Sequence, residues 1–320
     1  MISAKVIARS KSSVTGKEIV TFEIIFPRFI LAELNTHRIL SKNSASSRAI
    51  PVEKVIEAVR NNPAMPVHWS KNQPGMSARE ELTGDDLARC QNAWLDAATV
   101  AANIAEYMSD AGAHKQVANR ILEPFTWMKT VITGTDWDNF FHLRKHPDAD
   151  PNINALAEVM WQALQESETF ELHPGEWHLP YVHTVRNHSG QIEYWDFKGA
   201  IKLSLEDALK VSSSCCAQTS FRTSDDSLDK AIRVYDRLVE SKPVHASPFE
   251  HQASPMQPFS ETDDDWQVLI NDPGFPLSWE EGITHSDRKG QLWSGNYMGF
   301  IQHRQLIPDN ACWNYKEQNK

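Results

Sequence analysis

Apolar and polar residues recur along the chain at two periods, which predict where its strands and helices lie. The stretch EIVTFEIIF, Glu18–Phe26, is rich in β-branched and aromatic residues and alternates in part with polar ones, so it is predicted to be a strand. Pro27 suits the first turn of a helix, because no N–H is lost there, and RFILAELNTH continues as that helix. Helical spacing predicts further helices over residues 52–62, 87–122, 152–165 and 227–241, with a break near Gly112 in the second of these. Residues 204–221 are predicted to begin as a helix and to continue as a strand or turn.

The composition limits the kinds of protein that this chain can be. Its 320 residues are 41% hydrophobic and 23% charged, as in globular rather than disordered proteins. No apolar run approaches the roughly 18 residues that span a bilayer, and the first residues lack the apolar core of a signal peptide. We therefore expect a cytoplasmic protein with no membrane partner. A net charge of −10 argues against a nucleic-acid groove, but a small anion needs only a local cluster of cations.

One such cluster follows the first predicted helix directly. The stretch Thr36–Pro51, THRILSKNSASSRAIP, holds one histidine, three cationic side chains and four serines. An arginine makes two parallel charge-assisted hydrogen bonds to a phosphate, and serine hydroxyls with loop N–H groups complete such a cradle. The pattern indicates an anion site, although a polar loop that caps a helix has a similar composition.

A second motif, HASPFEH, occupies His245–His251; taken alone it is also compatible with a helix start and a structural histidine. Together, the two motifs resemble those of the flavin-dependent thymidylate synthases, whose signature is Arg-His-Arg, seven residues and Ser, and whose His-x-x-Pro-Phe-Glu-His element contacts the flavin. The signature residues that this chain retains are His37, Arg38, Ser41, Asn43, Ser46 and Arg48. The chain departs from the family pattern at Glu33, Thr36, Ser44 and Ala49, where the family has Gln, Arg, Glu and Tyr.

Two further segments extend the resemblance. GAHKQVANRILEPF is similar to the family's helix with an Ala-Arg pair and places Arg120 at the matching arginine. TDWDNFFHLRKHPDAD is similar to its Asn-Phe-Leu-x-Leu-Arg segment and places Asn139 and Arg144. SSSCCAQTSF is compared with the family's small-residue strand end. In the family, however, the His-x-x-Pro-Phe-Glu-His element precedes the arginine signature, so this chain looks circularly permuted, which is tolerable where the old termini lay close together.

The resemblance implies a fold, an activity and roles for individual residues. The implied fold is α/β (α+β), with a central, mostly antiparallel sheet flanked by helices. The implied activity is reductive methylation of the deoxynucleotide dUMP to dTMP with FAD as cofactor and with NADPH and methylenetetrahydrofolate as co-substrates, in a homotetramer. Nucleotide binding is implied for Ser46, Arg48, Arg120 and Arg144, with Ser46 and Arg144 catalytic. FAD contacts are implied for His37, Arg38, Asn43, Asn139, His245, Ser247 and Glu250.

The departures from the family pattern leave alternatives open. One keeps the flavin chemistry but changes the product, as in hydroxymethylation, or the acceptor, as in dCMP for dUMP. Another is a non-catalytic relative that binds a nucleotide, which the absent arginine at Thr36 motivates. A change of polar groups near the pyrimidine edge can alter base choice strongly, because an unmatched buried donor is costly.

The resemblance divides the chain into four regions. Residues 1–168 and 206–255 are predicted to form the two parts of the core, separated by a His/Trp-rich insert at 169–205 with a possible hairpin and followed by an extension at 256–320. In the insert, four histidines recur every five residues, a spacing that suits zinc poorly, so we expect a loop over the substrate and no metal site. In the extension, residues 293–308 are predicted to form an edge strand, and a structural tail is favoured over a role for Gln302 and Arg304.

The cysteines give no sign of catalytic or metal-binding chemistry. They form no CxxC pair, and neighbouring cysteines are poorly placed to form a disulfide with each other. Reduced, structural thiols are therefore expected at Cys90, Cys215, Cys216 and Cys312.

Overall fold

A five-stranded sheet organises the computed structural model, which describes residues 1–75, 79–196, 198–219, 227–257 and 279–315. Its strands are β1 (Ser3–Ser12), β2 (Glu18–Pro27), β3 (Ser41–Ser44), β4 (Trp127–Gly134) and β5 (Phe170–Leu172). Across the sheet the order is β3-β4-β2-β1-β5, with β1 and β5 parallel and the other three pairs antiparallel. The predicted α/β fold with a central, mostly antiparallel sheet is confirmed.

Helices flank the sheet, and most of them lie where periodicity predicted a helix. The α-helices in the described ranges are α1 (Leu31–Asn35), α2 (Val52–Asn61), α3 (Gly84–Asp110), α4 (Lys115–Ala118), α5 (Asp138–Arg144), α6 (Pro151–Gln165), α7 (Leu205–Gln218) and α8 (Leu228–Glu240). Short 3-10 helices lie at Arg28–Ile30, Asn119–Phe125, Ser247–Glu250 and His303–Leu306. The break near Gly112 is confirmed, since this residue has a φ of +87° just past the end of α3.

Two expectations for individual elements were wrong. The stretch that we compared with a strand end is helical as far as Gln218, at the end of α7, and the strand or turn predicted next falls on residues 220–226, outside the described residues. The single edge strand predicted over 293–308 is instead three short strands and a 3-10 helix. Positive φ angles at Gly295 and Gly299 break this segment.

Alternation along β2 separates two layers of the core. Val20, Phe22, Ile24 and Phe26 lie in one buried cluster with residues of α2, α3, α5 and α6. The intervening residues at the start of β2 belong to the other face, where Ile19 packs with Ala253, Tyr297 and Phe300. Because side chains of a strand alternate between faces, β2 supports both layers at once. Described residues of the C-terminal half of the chain therefore pack against the second face of the sheet.

The His/Trp-rich segment contributes to this fold as well as to the surface. Its strands β6 (His183–Arg186), β7 (Ile192–Trp195) and β8 (Lys202–Leu203) form an antiparallel sheet, which includes the predicted hairpin. Strand β5 joins the central sheet, and His178 is buried and bridged to Ala253. The segment is thus built into the core as well as forming a loop.

The C-terminal segment forms small antiparallel sheets. Strand β9 (Ala253–Pro255) pairs with β13 (Phe300–Gln302), and β10 (His285–Ser286), β11 (Leu292–Ser294) and β12 (Tyr297–Met298) form a second sheet. The remainder of the extension, 258–278 and 316–320, lies outside the described residues. In the described ranges, no helix combines the length and hydropathy needed to cross a bilayer.

Candidate active site

The signature stretch forms a loop, an edge strand and a second loop. After α1, residues 36–40 turn back through hydrogen bonds such as that from the Leu40 N–H to the His37 carbonyl, and the chain then enters β3. Strand β3 pairs with β4, with Ser41 opposite Thr133. A turn at residues 46–49 follows, and Pro51 precedes α2. The cationic and hydroxyl side chains therefore lie along one edge of the sheet.

His37 and Arg144 meet at the first loop. The Arg144 Nε donates to the His37 Nε2 at 2.8 Å, and the Arg144 Nη2 donates to the Thr36 hydroxyl at 3.0 Å. Because a guanidinium only donates, His37 Nε2 accepts, and the neutral ring carries its proton on Nδ1. Burial, with added repulsion from Arg144 and Lys42, lowers the pKa of His37 to about 4. His37 is thus a neutral donor at neutral pH, held in place by Arg144.

Lys42 is a further cation of the signature stretch that the motif comparison did not single out. Its Nζ donates to the carbonyl oxygens of His37 at 2.5 Å and Leu40 at 2.9 Å, and so closes the first loop. Burial lowers the pKa of Lys42 to about 8, and the Glu250 carboxylate opposes that shift. Lys42 therefore connects the signature loop electrostatically to the HASPFEH element.

The HASPFEH element lies against β3. Its core is the 3-10 helix Ser247–Glu250, in which Pro248 and Phe249 are buried while Ser247 is exposed. The Glu250 carboxylate forms an ion pair with Arg304, with Glu250 and Arg304 side chains 20% and 30% exposed. Two motifs about two hundred residues apart in sequence therefore share one edge of the sheet.

A second group of charges lies at the other end of β3. Glu123 accepts from the Ser47 hydroxyl at 2.8 Å and forms ion pairs with Arg28 at 2.9 Å and Arg120 at 3.1 Å. The buried Asn119 fixes the same turn by donating to the carbonyls of residues 47 and 50 at 2.7 and 2.9 Å. Glu123 is therefore the residue that organises this turn.

The structure brings some predicted site residues together and keeps others apart. His37 and Arg144 are in contact. The Glu250 carboxylate acts electrostatically on Lys42, which was not among the predicted site residues. Ser46 accepts from the Arg48 N–H at 3.3 Å beside the Glu123 group. In the described part of the chain, no hydrogen bond or ion pair joins Arg144 to that group. Six further predicted site residues have exposed side chains: Arg38, Arg48, Arg120, Asn139, His245 and Ser247. Asn43 is buried, and its amide reaches the Cys216 carbonyl at 3.5 Å.

Sequence reasoning underrated four residues of the C-terminal segment. The sequence favoured a structural tail over a role in the site for Gln302 and Arg304, and the structure places both in contact with Glu250. Tyr297 donates to the Glu250 carbonyl, and Asn296 contacts the Ser41 hydroxyl at 3.0 Å. The one available signal was composition, since amide and cationic side chains interrupt the apolar and aromatic residues of this segment.

A chain of buried polar groups runs under the HASPFEH element through the sheet. Its four hydrogen bonds are 2.7–2.9 Å long and join, in order, Ser10, His178, Thr21, Thr133 and His251. Burial lowers the pKa of both histidines to about 3, with a further contribution from His251 at His178. Both rings are therefore neutral, and in the described part of the molecule the His251 Nε2 has no hydrogen-bond partner.

The histidines of the 169–205 segment do not converge. His178 takes part in the buried chain, and His173 contacts the Ser13 hydroxyl at 2.9 Å. His183 and His188 are exposed. No three described His, Cys, Asp or Glu residues are grouped as metal ligands. The four cysteines carry no disulfide.

Comparison with known proteins gives the chain a family. The family described as thymidylate synthase complementing protein matches residues 2–167, more than half of the chain. No curated protein shows a significant match. Crystal structures of a UMP/dUMP methylase, PolB, from Streptomyces cacaoi are similar to 52% of this chain. The complex with 5-Br dUMP is 16% identical over 90% of its chain with a TM-score of 0.42, and the complex with 5-Br UMP is 19% identical over 89% with a TM-score of 0.43. By the family match, the chain belongs to the thymidylate synthase complementing protein family.

Proposed function

We propose that the protein is an FAD-dependent enzyme that modifies C5 of dUMP, and that its reaction is reductive methylation to dTMP. The observation that carries the proposal is the contact between β3, inside the family match, and the 3-10 helix Ser247–Glu250, outside it. Motifs that resemble a nucleotide site and a flavin site lie side by side, although they are about two hundred residues apart in sequence. Methylenetetrahydrofolate is the proposed carbon donor and NADPH the proposed reductant.

The side chains at this edge fit an anionic nucleotide and a flavin. Arg48 and Arg120 are exposed cations, and a planar guanidinium group can donate two parallel hydrogen bonds to one phosphate. We assign the deoxynucleotide to Ser46, Arg48, Arg120 and Arg144. We assign FAD to His37, Arg38, Asn43, Asn139, His245, Ser247 and Glu250. FAD, when bound, supplies the one-carbon transfer and hydride chemistry that protein side chains lack.

Arg144 has the central role in this proposal. C5 of uracil reacts readily only when the negative charge that develops at its carbonyl oxygens is stabilised, and a guanidinium supplies the positive charge that does this. A donor of this kind contributes ~3 kcal/mol in a site from which water is excluded. Its bond to the neutral His37 fixes the guanidinium before a nucleotide arrives, so little reorganisation is needed.

The absorbance spectrum of the purified protein tests the proposal first. Bound oxidised flavin gives a yellow protein, and we expect the flavin spectrum to change on addition of dUMP. Turnover is then measured as dTMP formed from dUMP with methylenetetrahydrofolate and NADPH. A protein that binds no FAD even when FAD is added contradicts the proposal and favours the non-catalytic nucleotide-binding alternative.

One structural observation favours a second candidate, which changes the acceptor or the product. Ser44, where the family has Glu, has its hydroxyl 2.7 Å from that of Thr130, so this position presents no carboxylate to a ligand. A base whose recognition does not need that carboxylate, or a hydroxymethyl product, is compatible with this arrangement. Mass spectrometry of the products from dUMP and from dCMP distinguishes the two candidates, since each product has its own mass.

A further inference from the structure

Four residues of the C-terminal segment, Asn296, Tyr297, Gln302 and Arg304, contact both motifs of the candidate site, and we call them the clasp. Asn296 directly precedes β12, and the other three lie in β12, β13 and the following 3-10 helix. All four are more than one hundred residues beyond the end of the family match. None was assigned to the site by the motif comparison.

On the signature side, the clasp holds the loop that enters β3. The Asn296 amide donates to the Ser41 hydroxyl at 3.0 Å and to the Ile39 carbonyl at 2.9 Å. The Gln302 amide then donates to the Asn296 Oδ1 at 2.8 Å. Asn296 therefore bonds with both ends of its amide, which fixes its orientation and that of the loop.

On the other side, the clasp holds Glu250 through its side chain and its backbone. Arg304 Nη1 forms the ion pair with the carboxylate, and its Nη2 donates to the Asn310 carbonyl at 3.1 Å. The Tyr297 hydroxyl and the Gln302 amide both donate to the Glu250 carbonyl oxygen. A single residue of the HASPFEH element thus receives three donors from the clasp.

These contacts are a built arrangement and not a chance surface contact. Tyr297 is 0% and Gln302 1% exposed, so the loss of a partner leaves a polar group unsatisfied in the interior. The turn before them requires glycine, since Gly295 has a φ of +59° and a Cβ there would be 2.6 Å from the Gln302 Oε1. Backbone and side chains of the segment are therefore arranged around the two motifs.

We propose that the clasp is a positioning device that sets the HASPFEH element against the signature loop, with Arg304 orienting the carboxylate of Glu250 for the ligand. The inference rests on the proposed function in naming FAD as that ligand. In this proposal Arg304 acts through the Glu250 carboxylate and does not touch the cofactor. The effect of Arg304 on FAD affinity therefore depends on Glu250.

A double-mutant cycle tests this dependence. We expect Arg304→Gln and Glu250→Gln each to weaken FAD affinity by about 10-fold, and the double variant to bind no more weakly than Glu250→Gln alone. Arg304→Lys keeps the positive charge but loses the paired N–H donors of the guanidinium, so it should bind FAD more tightly than Arg304→Gln and less tightly than the wild type. Arg288→Gln, at an exposed arginine of the same segment, is the control and should bind FAD normally. Additive losses, or normal affinity in Arg304→Gln, overturn the proposal.

Hydrogen exchange in the absence of FAD tests the clasp independently of the proposed function. Arg304→Gln should speed amide exchange in residues 246–252 by about 5-fold or more, and Asn296→Ala should do the same in residues 38–43, whereas Arg288→Gln should change neither. If neither variant alters these segments, the clasp is refuted whether or not FAD binds. A wild-type protein that binds no FAD contradicts the proposed function alone, and the exchange result then decides on the clasp.

Discussion

At position 36, threonine in place of the family arginine changes the surroundings of a neighbouring cation. The Thr36 hydroxyl accepts from Arg144 Nη2, where a second guanidinium would have repelled it. Arg144 can therefore approach the loop closely enough to bond to His37. The departure from the family pattern is thus compatible with an ordered site, and it makes Arg144 the main cation beside this imidazole.

Substitution of Arg144 by alanine should separate activity from folding. We expect turnover to fall by about 100-fold or more, because the charge near the pyrimidine carbonyls is lost, while the thermal midpoint changes little. Removal of this cation also relieves repulsion, so the pKa of His37 should rise from about 4 toward its ordinary value, which NMR titration can measure. His142→Ala, at an exposed residue of the same helix, is the matched control. Near-normal turnover in Arg144→Ala would refute the assigned role.

At the scale of elements, α6 shows how local sequence signals position the site. Its N-cap Asp150 accepts from the backbone N–H groups of residues 152 and 153 at 2.9 and 3.3 Å, and Pro151 occupies the first helical position. The helix buries Ile153, Leu156 and Met160 beside β1 and β2. One turn along, the Asn154 amide donates to the Arg144 carbonyl at 2.9 Å. The start of α6 thus supports the end of α5.

Loss of this cap should therefore affect stability. Asp150→Ala should lower the free energy of unfolding by about 1 kcal/mol, since two N–H groups lose their acceptor. Asp150→Asn keeps a good capping side chain and should lower the free energy of unfolding by only about a few tenths of a kcal/mol. Urea unfolding of the three proteins under identical conditions measures the difference. Equal midpoints for the alanine variant and the wild type would show that the cap contributes nothing.

For the whole molecule, sequence periodicity predicted most of the helices and the main strand of the sheet. The strand Glu18–Pro27 and the helices Val52–Asn61, Pro151–Gln165 and Leu228–Glu240 lie within one residue of their predicted bounds, because their sequence patterns agree with their burial. The role of the C-terminal segment was not predictable in this way. Its strands are two or three residues long, too short for periodicity, and Arg304 meets Glu250 through a contact that spans 54 positions.

The buried histidines make the stability of the whole molecule depend on pH. Unfolded histidines bind protons near pH 6.5, whereas the folded pKa of His178 and of His251 is about 3. Between these values the unfolded state binds more protons, so stability is full above pH 6.5 and is lost as the pH falls. At pH 5 each of the two histidines should have lost about 2 kcal/mol of stabilisation.

Replacement of one buried histidine should reduce that dependence. His178→Gln is expected to be less stable than the wild type at pH 7, because Ser10 and Thr21 lose a matched partner. Its loss of unfolding free energy between pH 7 and pH 5 should nevertheless be smaller by about 2 kcal/mol. Urea unfolding at the two pH values provides the comparison, with the exposed His188→Gln as control. An unchanged pH dependence in His178→Gln would contradict the assignment.

Two features of the molecule favour the homo-oligomer, which remains a prediction. The charges around Glu123 and those around Arg144 form separate groups within the described part of one chain. Along α3, Val100, Ile104 and Tyr107 follow one another at helical spacing and are 54%, 48% and 74% exposed. An apolar row of this kind is a surface that a second copy can cover, and a neighbouring subunit can bring the two groups of charges together.

Complementation between inactive variants tests whether sites are shared between subunits. Arg48→Ala and Arg144→Ala should each be inactive, because each removes one cation proposed to bind the deoxynucleotide. The two variants carry different tags and are co-expressed. If one site takes Arg48 from one subunit and Arg144 from another, about a quarter of the sites in randomly mixed oligomers contain both intact residues, and activity should return at those sites. Hetero-oligomers isolated through both tags are assayed against each single variant. If such hetero-oligomers form but stay inactive, Arg48 and Arg144 serve the same site from one chain, and the oligomer has no part in completing it.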